Sequence, residues 1–132
     1  MEKLFRILVV ISISSFLIWF ILPQFWHLWH TPEEVNMLNY NGYNEYFNAL
    51  PLLYIMAVLF FVASIGLLLF KSWARTLFIL LTLLSVFGAP FMGWSIETGV
   101  EASLSQMGLL CDGAIIFMEY FSSVSTKFTK SV

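Results

Sequence analysis

Four predominantly apolar stretches, each about 20 residues long, decide what this chain can fold into. A helix of that length covers the hydrocarbon core of a bilayer, roughly 30 Å, at about 1.5 Å per residue. The stretches run from about Leu4 to Pro23, Leu50 to Phe70, Thr76 to Ile96 and Leu104 to Ser123. Phe, Val and Ile favour strands in water, but lipid offers the backbone no hydrogen-bond partner, so a crossing segment must bond to itself. Barrel strands are shorter and alternate polar with apolar residues. These stretches do neither. The expected fold is an all-α membrane protein: one transmembrane domain over residues 1–132, four helices in an up-down-up-down bundle, and an outer loop over about 24–48.

Composition agrees with lipid as the solvent. Only 11% of residues are charged and 60% are hydrophobic, with a mean hydropathy of +0.87, whereas a soluble domain has about 25% charged residues. The net charge of −2 and a pI near 5.5 argue against nucleic acid, which requires a basic face. A single cysteine, Cys111, excludes an intrachain disulfide and a CxxC redox centre. The first apolar stretch lacks an Ala-x-Ala site after it and reads as a retained anchor.

Charge placement gives the direction of the spans. The six cationic residues are Lys3, Arg6, Lys71, Arg75, Lys127 and Lys130, at the amino terminus, in the second loop and in the carboxyl-terminal tail. The other loops carry Glu33, Glu34 and Glu45, and Glu97 and Glu101. By the positive-inside rule both termini are expected in the cytoplasm. Trp26, Trp29 and Trp94 then fall near the outer interface and Trp73 near the inner one, as an aromatic belt requires.

Within the outer loop, Thr31-Pro32-Glu33-Glu34 predicts a capped helix start, continuing to about Leu38. Asn41-Gly42 predicts a turn, with Tyr40, Tyr43, Tyr46 and Phe47 at the interface. His27 and His30 invite a metal reading with Glu33 or Glu34 as third ligand. Their spacing shares one helical face only if the helix runs through Thr31-Pro32, where the capping signal restarts it. Interfacial histidines beside Trp26 and Trp29, and no metal or other cofactor, are therefore expected.

The fourth stretch is two-faced. Ser105, Gly108, Asp112, Ile115, Glu119 and Ser122 recur at spacings of three and four, opposite Met107, Leu110, Ala114, Phe117 and Phe121. An acid at the bilayer centre costs about 2.5–3.5 kcal/mol on insertion scales, so Asp112 is expected to face protein, and to be protonated or bonded by hydroxyls. Ser14, Ser15 and Ser85 fall at similar depth, with Ser64 and Thr82 nearer the cytoplasm. Glu119 lies within reach of Lys71, Arg75 or Lys127, whose long side chains extend toward the same level. A seam of this kind either holds helices together, with Gly108 allowing close approach, or relays protons or cations. In the third stretch Pro90 predicts a kink, and Ala89 and Gly93 a small-residue contact.

Two segments carry a resemblance. Gly66-Leu-Leu-Leu-Phe-Lys-Ser-Trp-Ala-Arg75 resembles the Trp-Ala-Arg hairpin of many small bacterial polytopic proteins without assigned function. Asp112-Gly-Ala-Ile-Ile, with Tyr120-Phe-Ser122 and Phe128, resembles their last helix. The resemblance implies a bacterial inner membrane and transfers no catalytic residue. Four-span quinone-coupled disulfide enzymes need cysteine pairs, and four-helix b-type cytochromes need histidines within helices; neither pattern is present.

The expected function is that of a non-enzymatic small membrane protein that binds a membrane-protein partner or its own copies, as an accessory subunit or toxin-immunity protein does. The alternative is a small oligomeric proton- or cation-coupled transporter or channel using Asp112 and Glu119. The orientation is directly testable. A periplasm-active phosphatase fused within residues 32–38 is expected to be active and one fused after Val132 inactive; the reverse pattern contradicts it.

Overall fold

The computed structural model describes residues 1–39, 50–91 and 96–129. These residues form helices and no strands. Helix α1 (Glu2–Ile21) continues as a 3-10 segment (Leu22–Leu28), followed by a short α2 (Pro32–Leu38). Then come α3 (Leu50–Leu68), α4 (Ser72–Gly88) with a closing 3-10 turn (Ala89–Phe91), α5 (Gly99–Phe121) and a short α6 (Ser125–Thr129). Four segments are long and apolar enough to cross a membrane: Glu2–Leu28, Pro51–Leu68, Ser72–Phe91 and Gly99–Phe121.

The boundaries move where local chemistry overrides hydrophobicity. Pro23 has no N–H to give to the carbonyl of Trp19, and α1 loosens into 3-10 geometry from Leu22. Likewise α4 stops at Gly88 and Pro90 sits in a 3-10 turn, so the expected kink in a continuing α-helix is replaced by its end. Helix α5 starts at Gly99, five residues before the apolar run. The Thr98 hydroxyl accepts from the Glu101 N–H at 3.3 Å, and the Glu101 carboxylate accepts from the Thr98 N–H at 2.8 Å. This reciprocal cap satisfies amide groups that the first turn leaves free. The expected cap of α2 has the same form, with Glu34 accepting from the Thr31 N–H at 2.8 Å. The Asn41-Gly42 turn, Tyr40, Tyr43, Tyr46, Phe47, Gly93, Trp94 and Lys130 lie outside the described residues.

The turn from α3 to α4 is closed by two backbone bonds. Lys71 N–H reaches the Gly66 carbonyl at 2.9 Å and Phe70 N–H the Leu67 carbonyl at 3.0 Å, the pattern that places a left-handed residue after a helix end. Glycine usually fills that place; here it is Phe70, at φ 56°. The conformation costs about 1–2 kcal/mol for a residue with a side chain. The Phe70 ring meets Phe5 at 5.7 Å and Phe128 at 5.4 Å between centroids, and Phe5 meets Phe128 at 5.9 Å. Aromatic pairs contribute about 0.5–1.5 kcal/mol each, enough to offset the strain and to tie α1 and α6 to the turn.

The core lies toward this same end: Phe5 and Val9 of α1, Ala63 and Leu67 of α3, Ala74, Phe78 and Leu81 of α4, Ile115 and Met118 of α5, then Val124 and Phe128. Among the described glycines Gly66 has the tightest surroundings. A Cβ there would sit 2.5 Å from the Ala74 Cβ and 2.9 Å from the Trp73 ring. The Gly66…Trp73-Ala74 pattern is therefore a packing contact between α3 and α4. Gly66→Ala should lower stability by about 1–3 kcal/mol through overpacking, despite alanine's better helix propensity. Thermal unfolding in mild detergent measures this; an unchanged or higher midpoint contradicts the contact.

Candidate functional site: the polar seam of α5

Along α5 the buried side chains are Glu101, Cys111, Asp112, Ile115, Met118 and Glu119. Met107, Leu110, Phe117 and Phe121 are exposed and Ala114 is half-buried. Across α1 the buried residues are Phe5, Val9, Ser12 and Ser15, one helical face at spacings of four, three and three. The two faces meet at one direct polar bond. The Ser12 hydroxyl donates to Asp112 Oδ1 at 2.5 Å, with both side chains buried.

The donor is thus Ser12, one residue the depth argument did not single out. Ser15 is buried on the same face, but Ser14 is exposed. Counting along a helix fixes level, and the direction around the axis decides which serine faces Asp112. Ser85 is also exposed and donates to the Thr82 carbonyl at 2.8 Å. Ser105 is exposed, because it lies at the edge of the face that Glu101, Asp112 and Ile115 bury. Ser122, at the end of α5, donates to the Met118 carbonyl at 2.7 Å and accepts from the Val124 N–H at 3.1 Å, turning the chain into α6. Gly108 is half-buried, and a Cβ on it would meet nothing within 4 Å, so the close approach expected there occurs at Gly66 instead.

Glu119 is fully buried, and neither carboxylate oxygen has a hydrogen-bond partner. Arg75 is the cation that acts on it electrostatically, without closing an ion pair. Its guanidinium carbon lies 4.5 Å above the Tyr120 ring and 5.8 Å from that of Phe128, and its Nε is buried without a partner. Lys127 and Lys71 do not serve Glu119. Lys127 pairs with Glu2, which also takes Arg6 at 3.2 Å, and Lys71 is exposed with no ion pair among the described residues. Lys127 turns outward because α6 carries it toward the start of α1, over the Phe70 ring at 5.4 Å.

At the start of α5 the same face also buries Glu101, which the apolar pattern does not mark as a site residue and which the Thr98-x-x-Glu101 spacing, the same signal as at Thr31, reveals. His27 lies in the 3-10 segment, and His30 Nδ1 stands 3.5 Å from Glu34 Oε2. No group of three His, Cys, Asp or Glu side chains among the described residues is placed to hold a metal ion. Glu34 is held below its ordinary carboxyl range, first by the Thr31 N–H and next by the Thr31 hydroxyl. A lowered folded value means that the cap is in place above the unfolded value and is lost as pH falls through the folded one. The Thr31 amide resonance should therefore titrate below the ordinary glutamate range; titration within that range contradicts the cap.

No family model matches the chain, and neither a curated protein nor a solved structure matches it.

Geometrically, Asp112 is a fastener between α1 and α5. An amide at this position keeps an oxygen acceptor for Ser12, whereas a leucine leaves the hydroxyl without one. Asp112→Asn should retain most of the stability and Asp112→Leu should lose about 1–3 kcal/mol. Unfolding of both variants in the same detergent checks this, and equal losses contradict it.

Proposed function

We propose that the chain is a small non-enzymatic membrane protein of the bacterial inner membrane that works by binding another membrane protein. The four helices cross up, down, up and down, with both termini in the cytoplasm. The clustering of Arg6, Lys127 and Arg75 around Phe70 and Phe128, at the same end as the α3–α4 turn, supports that orientation. The resemblance of the Trp-Ala-Arg hairpin to small bacterial polytopic proteins supports the membrane.

One observation carries the partner-binding reading. From Leu83 to Phe87, five consecutive residues of α4 are exposed, so more than a full turn offers its surface on every side. A helix at the edge of a bundle buries one stripe. The Leu83–Phe87 stretch, just past the buried Leu81 and Thr82, buries none, with Leu84 55% and Phe87 69% exposed. Shape-matched packing against a partner helix gains dispersion contacts that fluid acyl chains provide less well. An accessory or immunity role of this kind needs a surface and no reaction chemistry.

The ion-coupled alternative keeps one supporting observation, the unpartnered carboxylate of Glu119. Photo-crosslinking in native membranes separates the two. A photoreactive phenylalanine analogue at Phe87 should yield a discrete protein adduct, and one at Ile7 of α1 should not. Adducts at neither position, together with proton or cation flux in proteoliposomes that Glu119→Gln abolishes, would replace the binding role with transport.

A further inference from the structure

The exposed side of α5 carries a pattern that lipid does not explain. Gly99, Ser103, Gln106, Leu110, Gly113, Phe117 and Tyr120 follow one another at alternating spacings of four and three, and every one is exposed. That is a heptad seam along the whole helix, turned away from the face that binds α1. Its depth follows from the Ser12–Asp112 bond. Ser12 lies ten residues, about 15 Å, from the start of α1, so Asp112 is near the bilayer middle. Gln106 is six residues, about 9 Å, farther along α5 and so still inside a core of roughly 15 Å half-thickness.

A glutamine at this depth has a specific problem. The hydroxyls of Ser64, Ser103 and Ser122 share a carbonyl of the preceding turn of their own helix. Such sharing does not serve an amide with two N–H donors and a carbonyl acceptor, and Gln106 makes no hydrogen bond among the described residues. Seven residues along the same seam is Gly113, where a Cβ would meet nothing within 4 Å. Nothing among the described residues needs that glycine, although glycine weakens a helix interior by comparison with alanine.

We propose that the Gly99–Tyr120 face of α5 is the contact surface of a homodimer, in which Gln106 bonds to Gln106 of a second copy. A copy of the same chain related by a two-fold axis along the membrane normal places the same residue at the same depth. Because the amide both donates and accepts, the pair is self-complementary. A polar residue at one seam position sets the register, and Gly99, Ser103 and Gly113 let the backbones approach. This surface is separate from the Leu83–Phe87 stretch of α4, so a dimer leaves that stretch free for a different protein.

The test uses the full chain with donor or acceptor fluorescent proteins at the carboxyl terminus, reconstituted in phosphatidylcholine vesicles over a range of lipid dilutions. Energy transfer should fall with dilution along a dimer isotherm. Gln106→Leu should weaken association about threefold to tenfold, and Gly113→Leu should weaken it too. Ile7→Leu on α1, exposed and on neither surface, should have no effect. Both seam positions are exposed, so the variants should still fold, which thermal unfolding measured alongside checks. Transfer no greater than random proximity, or transfer unchanged in both Gln106→Leu and Gly113→Leu, overturns the proposal. Either result leaves the Phe87 crosslinking outcome untouched.

Discussion

A carboxylic acid near the middle of a bilayer must be met by a donor on a neighbouring helix, and here the donor is the hydroxyl of Ser12. The bond to Asp112 joins the first long helix to the last through residues a hundred positions apart in the chain. In lipid there is little hydrophobic gain from bringing helices together, so such bonds and close packing of small residues carry the association. The same bond sets the rotation of α5 about its axis. With Asp112 turned toward α1, Ile115 and Glu119 are buried below it, and Leu110, Phe117 and Phe121 face outward.

Two other devices complete the assembly, and both lie at the end where α3 turns into α4. Gly66 admits Ala74 and Trp73, bringing two helices close. Phe70, held left-handed at the turn, packs against both Phe5 and Phe128, which also meet each other, and so gathers both chain ends around it. Arg6 and Lys127 cover its ring and share Glu2. The consequence is an uneven molecule, with its core at that end and an α4 uncovered from Leu83 to Phe87.

The spans were legible because a run of about 20 apolar residues has few other uses. The start of α2 was legible because capping is local chemistry. The start of α5 uses the same chemistry at Thr98 and Glu101, but it lies ahead of the apolar run, which carries no mark of it. The seam was half legible. On α5 the acids and small residues mark one face, and Asp112 and Glu119 are indeed placed together on it. On α1 both faces are apolar, since lipid and protein present similar surroundings to Leu and Ile, so periodicity could not choose Ser12 over Ser14. The positive φ of Phe70 left no local trace, because its compensation comes from Phe5 and Phe128, remote in sequence.

The central claim is that Ser12 and Asp112 are energetically coupled across the two helices. A double-mutant cycle in detergent or bicelles, combining Ser12→Ala with Asp112→Ala, measures it directly. The account predicts a coupling of about 0.6–1.7 kcal/mol, between the average and the maximum found for hydrogen bonds between membrane helices. Additivity within about 0.3 kcal/mol, as for independent sites, would contradict it.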